Sequence, residues 1–406
     1  METSEIKDKD FIVFGLQPWD IPIGSNCKNI AAELSKYNRV LYVNRPLDRM
    51  SYHRGSKDIQ TRNRIAAIRR GENVLTEIKS NLWVFNPGKM LESINMLPAG
   101  FLYNFLNKRN NKLLAGEISK ASKQLGFTDP ILFVDNDFFN ALYLKDFLQP
   151  QLFIFYIRDY LRSQQYFGKH GKRAEPLIMK KADGVAANSA YLARYASQFN
   201  TNVADVGQGC EVEDFLEFTG PKPNDISAIP YPIIGYVGSI TSTRLDINLL
   251  EEIAASRSDW NIVLVGPTDT QFEQSKLVQM SNVHFLGAKS QQELASYVHA
   301  FDVCINPQLL NQMTIGNYPR KVDEYLAAGK PVVATRTETM EMFGTNAFLC
   351  NGAPEYVEAI EKALNEQHDP QKVKARIAMG AAHTWKASVD QIYHLIKKTQ
   401  HGRGTG

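Results

Sequence analysis

Short apolar runs alternate with stretches of helical spacing along most of the chain. The runs at residues 11–16 and 152–157 have the length of buried strands, whereas residues 103–125 carry apolar positions at helical spacing. This alternation is typical of parallel sheets that are covered by helices on both faces. The pattern therefore predicts an α/β fold. Predicted strands of the first half are residues 11–16, 40–43, 131–134, 152–157 and 184–187, with helices at 26–37, 103–125 and 174–181.

The alternation stops between residues 220 and 232 and then restarts. Four prolines, a glycine and an asparagine in this stretch disfavour regular structure and are typical of a linker. We therefore predict two doubly wound domains of similar size, residues 1–218 and 219–384, joined near residue 220. Predicted strands of the second are residues 233–237, 261–265, 283–285, 303–305 and 331–334, with helices at 245–255, 291–299, 321–328 and 355–364.

Composition excludes several classes of protein. With 44% hydrophobic and 22% charged residues, the chain is neither disordered nor a coiled coil. The formal net charge of +3, from 46 basic and 43 acidic residues, is too small for a dedicated nucleic-acid binder. The longest apolar run, residues 152–157, is far shorter than the roughly 20 residues of a membrane span. The N-terminus has no secretion signal, and the cysteines are scattered, so we expect a cytoplasmic protein.

Positive charge is concentrated in residues 45–70, which contain eight Lys or Arg residues and only two Asp. An apolar stretch, residues 94–106, follows and leads into Lys108 and Arg109. A basic patch beside an apolar segment suits contact with the anionic inner membrane surface. The alternative is a solvated loop followed by an ordinary helix that docks on the sheet.

The most informative stretch is residues 319–333. Pro319 precedes a predicted helix, and Gly329 ends it. Lys321 and Glu324 are three residues apart, so both project from the opening turn of that helix. Free N–H groups and a lysine at a helix N-terminus bind anions, and a carboxylate one turn later can accept hydrogen bonds from a ribose diol. The pattern predicts a nucleoside diphosphate site; the alternative is a surface ion pair.

This stretch resembles the donor-binding signature of GT-B glycosyltransferases in the retaining family-four group. The resemblance continues through residues 236–239, 282–287 and 301–307. The first half is similar to transferases for bacterial envelope polysaccharides, teichuronic-acid-type enzymes among them. There the similar segments are residues 17–20, 40–46 and 181–189.

The resemblance implies two Rossmann-like domains that face a central cleft, with a last helix at residues 385–400 packing back on the first domain. It implies a metal-independent, retaining hexosyltransferase with no cofactor. The donor would be a UDP- or GDP-linked sugar, and the acceptor a glycan or lipid-linked molecule. There are two alternatives to a glycosyltransferase. One is a nucleotide-sugar 2-epimerase of the same fold, which would need no acceptor, and the other is a non-catalytic nucleotide-sugar binding subunit.

Three positions depart from the family's pattern. Gly316 stands where the first of two glutamates would lie, so only Glu324 is retained. Ser239 replaces an arginine, and Arg244 stands at the lysine position, where it can neutralise a diphosphate or simply cover a helix surface. The predicted donor site comprises Gly238, Ser239, Arg244, Gly266, Leu286, Gly287, Pro319, Lys321 and Glu324, with Lys321 and Arg244 also catalytic.

In the first domain, polar residues follow two predicted strands. By resemblance, the loop at Gly24, Ser25 and Asn26 faces the donor phosphates; it can equally be a plain turn that caps a helix. Asp159 ends a buried strand and is the candidate for contacting the acceptor hydroxyl as general base, or else a helix cap. Asp135 and Asp137 form an Asp-x-Asp pair, which we interpret as a helix start rather than a metal site.

Overall fold

The computed structural model describes residues 5–21, 24–54, 59–72, 74–163 and 165–404. It divides into two compact units, Met1–Gly207 with Trp385–Gly406, and Gln208–Thr384. Each unit is built on one mainly parallel sheet, so the predicted α/β class is confirmed. Strands are β1 (Asp10–Phe14), β2 (Arg39–Val43), β3 (Leu75–Lys79), β4 (Leu82–Phe85), β5 (Ile131–Asp135), β6 (Leu152–Ile157), β7 (Gly184–Ala187), β8 (Val203–Asp205), β9 (Ile233–Val237), β10 (Asn261–Val265), β11 (Val283–Gly287), β12 (Val303–Asn306), β13 (Val332–Thr335) and β14 (Ala347–Cys350).

Helices cover both faces of each sheet, and short 3-10 turns lie at Leu161–Ser163, Lys276–Gln279, Gln291–Glu293 and Thr339–Asn346. The helices are α1 (Asn26–Leu34), α2 (Arg49–Arg54), α3 (Ile59–Arg70), α4 (Phe101–Gln124), α5 (Leu144–Leu148), α6 (Gln165–Lys181), α7 (Ala190–Ala196), α8 (Glu213–Leu216), α9 (Asn224–Ser227), α10 (Ile247–Ser256), α11 (Thr270–Glu273), α12 (Leu294–Ala300), α13 (Arg320–Ala327), α14 (Ala353–Glu366), α15 (Pro370–Ala382) and α16 (Trp385–Gly404). Among the described residues, no helix combines the length and apolar character that crossing a membrane requires.

The first unit has an eight-stranded sheet in the order β3-β4-β2-β1-β5-β6-β7-β8. All neighbours pair in parallel except β3, which runs antiparallel to β4 at the edge. Every residue of β1 is buried, with Ile12 and Phe14 in one core and Phe11 and Val13 in the other. The second core includes apolar side chains of α16, so the last helix covers one face of this sheet.

The second unit has a six-stranded parallel sheet in the order β11-β10-β9-β12-β13-β14. Side chains of β9 alternate between two cores: Ile233 and Val237 lie in one, and Ile234 and Tyr236 in the other. A strand that is buried on both faces needs apolar residues at successive positions, so an uninterrupted apolar run in the sequence predicts such a strand.

The first unit ends at Gly207 rather than at residue 218. Cys210, Val212 and Phe215 belong to a core of the second unit, together with Ile226 and Ile229. The proline-rich stretch near residue 220 therefore packs on the second unit and is not the junction between the units. Proline signals a break in regular structure, but burial of the flanking apolar residues decides which unit the segment joins.

Residues 45–70 are largely helical rather than a solvated loop. They form α2 and α3, although residues 55–58, which include Lys57, lie outside the described part of the chain. The arginine-rich sequence is compatible with helix because Arg is a good helix former and only two residues of α3, Ile65 and Ala67, are buried. With so few buried positions, the sequence carries no apolar periodicity that would predict this helix.

Candidate functional site

Three glycines lie side by side at the carboxyl edge of the second sheet. Gly238 follows β9, Gly266 follows β10 and Gly287 ends β11, with backbone φ angles of 141°, 150° and 70°. A Cβ placed on Gly266 would lie only 1.8 Å from the carbonyl oxygen of Gly238. We call this edge, formed by Gly238, Gly266 and Gly287, the glycine edge. It exposes backbone without side chains at the place where open α/β sheets bind their ligands.

The N-terminus of α13 is fixed at the end of β9. Val322 and Leu326 are fully buried on the inner face of the helix. Beside them, the Tyr325 hydroxyl accepts a 2.8 Å hydrogen bond from the backbone N–H of Val237. Pro319 occupies the N-cap position without a side-chain cap. The Arg320 N–H donates to the Tyr318 carbonyl and the Val322 N–H to the Pro319 carbonyl, so two of the three N–H groups of the first turn already have partners.

Lys321 projects from this first turn to the glycine edge. Its Nζ donates a 2.5 Å hydrogen bond to the Tyr236 hydroxyl and lies 4.2 Å from the centre of that ring. The hydroxyl in turn donates to the carbonyl oxygen of Ser239, 3.3 Å away. A Cβ on Gly238 would stand 2.9 Å from Lys321 Nζ, so the ammonium lies directly against the Gly238 backbone. The buried tyrosine thus holds a cation where an anionic ligand could reach it.

Arg244 and Lys321 line the same cavity, of about 210 Å³. Arg244 is exposed, and its carbonyl oxygen accepts a 2.8 Å hydrogen bond from the Leu309 N–H, which fixes its loop. Three cationic residues, Arg320 among them, and the N-terminus of α13 therefore converge on one small space. The cavity lining is Tyr236, Arg244, Leu245, Asn306, Gln308, Thr314, Asn317, Tyr318, Pro319, Arg320 and Lys321.

Glu324 is half-buried and is not among the described residues that line this cavity. Burial raises the pKa of its carboxyl group, while the charges of Arg320 and Lys321 oppose that rise. Its Oε1 lies 3.8 Å from the Cys210 thiol. The structure thus brings Lys321 and Arg244 together on one cavity, whereas Glu324 is not part of its described lining.

Asp323, next to Glu324, is a structural residue. It is fully buried, and its Oδ1 lies 2.6 Å from His383 Nδ1. Burial raises the pKa of this carboxyl group as well, and the contact with His383 lowers it. Of the two carboxylates in the first turns, Glu324 is the one left for a ligand.

The other two predicted donor residues differ in burial. Leu286 is half-buried against the apolar core, and Ser239 is exposed after the end of β9. Both lie on the glycine edge, because β11 and β9 flank β10.

Asp159 lies at the carboxyl edge of the first sheet, two residues beyond β6. Its Oδ2 is 2.7 Å from Arg158 Nη1, and Arg158 also pairs with the fully buried Asp135 at 2.7 Å. Asp137 accepts hydrogen bonds from the backbone N–H groups of Phe139 and Asn140 and so caps a turn, not a helix start. In the described residues, no group of three or more His, Cys, Asp or Glu could hold a metal ion.

The loop before α1 has one clear structural role. Ser25 occupies the N-cap of α1, where its side chain accepts a 3.4 Å hydrogen bond from Lys28 N–H. Asn26 is buried and donates to the Tyr156 hydroxyl at 3.3 Å, whereas Gly24 is exposed. The preceding Ile23 lies outside the described residues.

Sequence reasoning missed a cavity of about 580 Å³ in the first unit. Arg45 and Arg64 line it together with several asparagines, and the Arg64 guanidinium donates to the Arg45 carbonyl at 3.3 Å. The asparagines buried at positions 107 and 110 of α4 were the available signal, because buried amides need partners or a ligand. The polar and aromatic lining includes Arg45, Arg64, Glu92, Asn95, Tyr103, Asn107, Asn110, Asn140 and Tyr166.

Several solved structures share the architecture of this chain. Anabaena HepE, solved with UDP and glucose, aligns with 96% of this chain and 99% of its own, with a TM-score of 0.61 and 16% identity. The α,α-trehalose 6-phosphate synthase of Burkholderia multivorans aligns with 98% and 100%, with a TM-score of 0.64 and 13% identity. The fold is therefore the GT-B fold, as the sequence predicted.

Two sequence comparisons add to the structural one. Residues 231–366, which lie in the second unit, match the family model of "Glycosyl transferases group 1". TuaH of Bacillus subtilis (strain 168), a putative teichuronic acid biosynthesis glycosyltransferase, is 28% identical over 241 residues. That match spans 57% of this chain and 60% of TuaH. The predicted resemblance to GT-B glycosyltransferases close to teichuronic-acid-type enzymes is confirmed.

Proposed function

We propose that this chain transfers a sugar from a UDP- or GDP-linked donor to a glycan or lipid-linked acceptor in bacterial cell-surface polysaccharide synthesis. The observation that carries the proposal is the pair of cations, Lys321 and Arg244, on one cavity beside the bare backbone at Gly238. The likeness to TuaH supports the cell-surface role, and the likeness to HepE supports a nucleotide-sugar donor.

In this proposal, the donor diphosphate contacts Arg244, Lys321 and the backbone at Gly238 and Ser239. The Ser239 N–H is the donor there, because the Gly238 N–H already donates to the Val265 carbonyl. Glu324 accepts hydrogen bonds from the ribose, and the base lies near Gly266, Leu286 and Gly287. As the glycosidic bond breaks, negative charge grows on the departing β-phosphate. Fixed cations and N–H dipoles at that position lower the barrier, and they supply the charge that a metal ion supplies in other transferases.

The acceptor is proposed to bind in the first unit, with Asp159 contacting its hydroxyl. The predicted phosphate role of the loop at Gly24, Ser25 and Asn26 stays a prediction. The 580 Å³ cavity, lined by arginines and amides, has the chemistry that a sugar or phosphate group requires. We further propose that transfer retains the anomeric configuration, as in the family that the donor helix resembles. NMR of the first-formed product reports that configuration directly.

The reaction is tested by nucleoside diphosphate release with and without acceptor. A transferase releases it in step with acceptor glycosylation, an epimerase converts the donor with none released, and a binding subunit shows affinity without turnover. EDTA should leave the rate unchanged. A thermal-shift series with UDP, GDP, ADP and TDP identifies the base, because the bound nucleotide stabilises the fold by mass action.

Glu324→Gln should weaken nucleoside diphosphate affinity by about 10- to 100-fold, since it removes charge-assisted hydrogen bonds to the ribose. Burial raises the pKa of Glu324, so the ionised form is lost at a higher pH than for an exposed glutamate. Wild-type affinity should thus fall on acidification more steeply than that of Glu324→Gln, as titration calorimetry across pH would show. Glu355→Gln, a substitution in α14, is the matched control; equal affinities and pH profiles for Glu324→Gln and wild type would remove the assignment.

A further inference from the structure

One surface of the first unit exposes several large apolar side chains together. Phe101 is 87% exposed and Met96 78%, and Leu102, Phe105 and Tyr166 are each at least half exposed. We call these five residues the α4 tip, because three of them form the first turns of α4. Isolated exposed apolar residues are ordinary, whereas a contiguous group marks a contact surface.

One ring contact and two hydrogen bonds hold parts of the α4 tip in place. The Phe101 and Phe105 rings stack with centres 6.3 Å apart. Lys169 Nζ donates to the Met96 carbonyl at 2.8 Å, and Asn95 Nδ2 donates to the Tyr166 carbonyl at 3.2 Å. These bonds tie the loop before α4 to the first turns of α6, so the tip has a fixed shape.

Lysines follow the aromatic residues on the same face of α4. Phe101, Phe105, Lys108 and Lys112 are spaced four, three and four residues apart, which aligns them along the helix, and all four are exposed. The lysines thus stand roughly 10 Å behind the rings, at 1.5 Å per residue. Helix α4 carries five Lys or Arg residues and one Glu, and α3 carries four Arg and no acidic residue.

We propose that the α4 tip docks this protein on a bilayer surface that contains anionic lipids. The apolar side chains enter the boundary between headgroups and acyl chains, and Lys108 and Lys112 meet the lipid phosphates. The charge favours a bilayer over a second copy of the chain, because a two-fold interface would bring the same cations face to face. This proposal stands on the first unit alone and does not depend on the donor site.

Met96 and Tyr166 also line the 580 Å³ cavity, so docking would place the mouth of that cavity at the membrane surface. There it is open to the polar head of a lipid-linked acceptor. Among the acceptors named above, the α4 tip therefore favours the lipid-linked one.

The test is flotation of the full-length protein with vesicles of phosphatidylcholine, with or without phosphatidylglycerol. Wild type should float with the anionic vesicles. Phe101→Ser/Phe105→Ser and Lys108→Gln/Lys112→Gln should each weaken binding by roughly 10-fold or more. Lys120→Gln/Lys123→Gln, which removes two exposed lysines at the other end of α4, is the matched control and should still bind nearly as wild type.

No flotation of wild type, equal binding to neutral vesicles, or equal loss in the control variant would each overturn the proposal. Light scattering of wild type and Phe101→Ser/Phe105→Ser tests whether a second copy of the chain binds the α4 tip instead. If wild type is a dimer and only the serine variant is a monomer, the α4 tip is an interface between copies. Nucleotide thermal shifts, which report the second unit, should be unchanged in all variants. A wild type that binds anionic vesicles but no nucleotide would refute the donor site and leave this surface intact.

Discussion

Lys321→Ala is expected to slow sugar transfer by about 10²- to 10³-fold, the usual cost of losing one preorganised donor at a developing negative charge. The affinity for nucleoside diphosphate should fall much less, because Arg244 and the Ser239 N–H remain available to the ground-state phosphates. Initial rates at saturating donor measure the first effect, and calorimetry measures the second. The reason for the split is that charge on the β-phosphate grows only as the glycosidic bond breaks.

Two further variants separate chemistry from structure. Lys362→Ala removes an exposed lysine of α14 that pairs with Glu358, and it should leave both rate and affinity unchanged. Tyr236→Phe keeps the ring but removes the hydroxyl that fixes Lys321, so it should slow transfer by less than Lys321→Ala. If Lys321→Ala transferred sugar at the wild-type rate, the leaving-group role of this lysine would be wrong.

Strands buried on both faces were predictable from sequence because their burial requires unbroken apolar runs. The bounds of β6, β7, β9 and β10 coincide with the predicted ones. The edge strand β3 was missed, since four of its five residues are exposed and leave no apolar run. Pairing with β4, not local pattern, makes it a strand.

For the candidate site, the sequence revealed residues whose place follows from topology. Gly238, Gly266 and Gly287 follow or end adjacent parallel strands, so they meet at one edge whatever the side chains do. The hydrogen bond between Lys321 and Tyr236 joins residues 85 positions apart, and local spacing contains nothing that indicates it. The same holds for the 580 Å³ cavity, whose lining comes from several separate segments of the first unit.

Gly266→Ala is expected to destabilise the second unit by about 3 kcal/mol or more. The new Cβ would lie 1.8 Å from the Gly238 carbonyl oxygen, so β9 and β10 must separate at their ends. Overpacking costs roughly 1–3 kcal/mol, and a positive φ adds about 1–2 kcal/mol for a residue with a side chain. Calorimetry should show a melting temperature about 6–12 °C lower, and nucleotide binding should weaken because Gly238 moves.

Gly287→Ala is the matched control on the same edge. Its φ of 70° is also in the left-handed region, but a Cβ there would meet nothing within 4 Å. It should therefore carry only the backbone cost, about 1–2 kcal/mol, and leave Gly238 in place. Because Gly287 itself lies at the proposed base site, the comparison is made on stability alone. Equal losses of stability in the two variants would mean that close approach of the strand ends is not what Gly266 provides, whereas a larger loss at Gly266 would show that this close approach holds the glycine edge together.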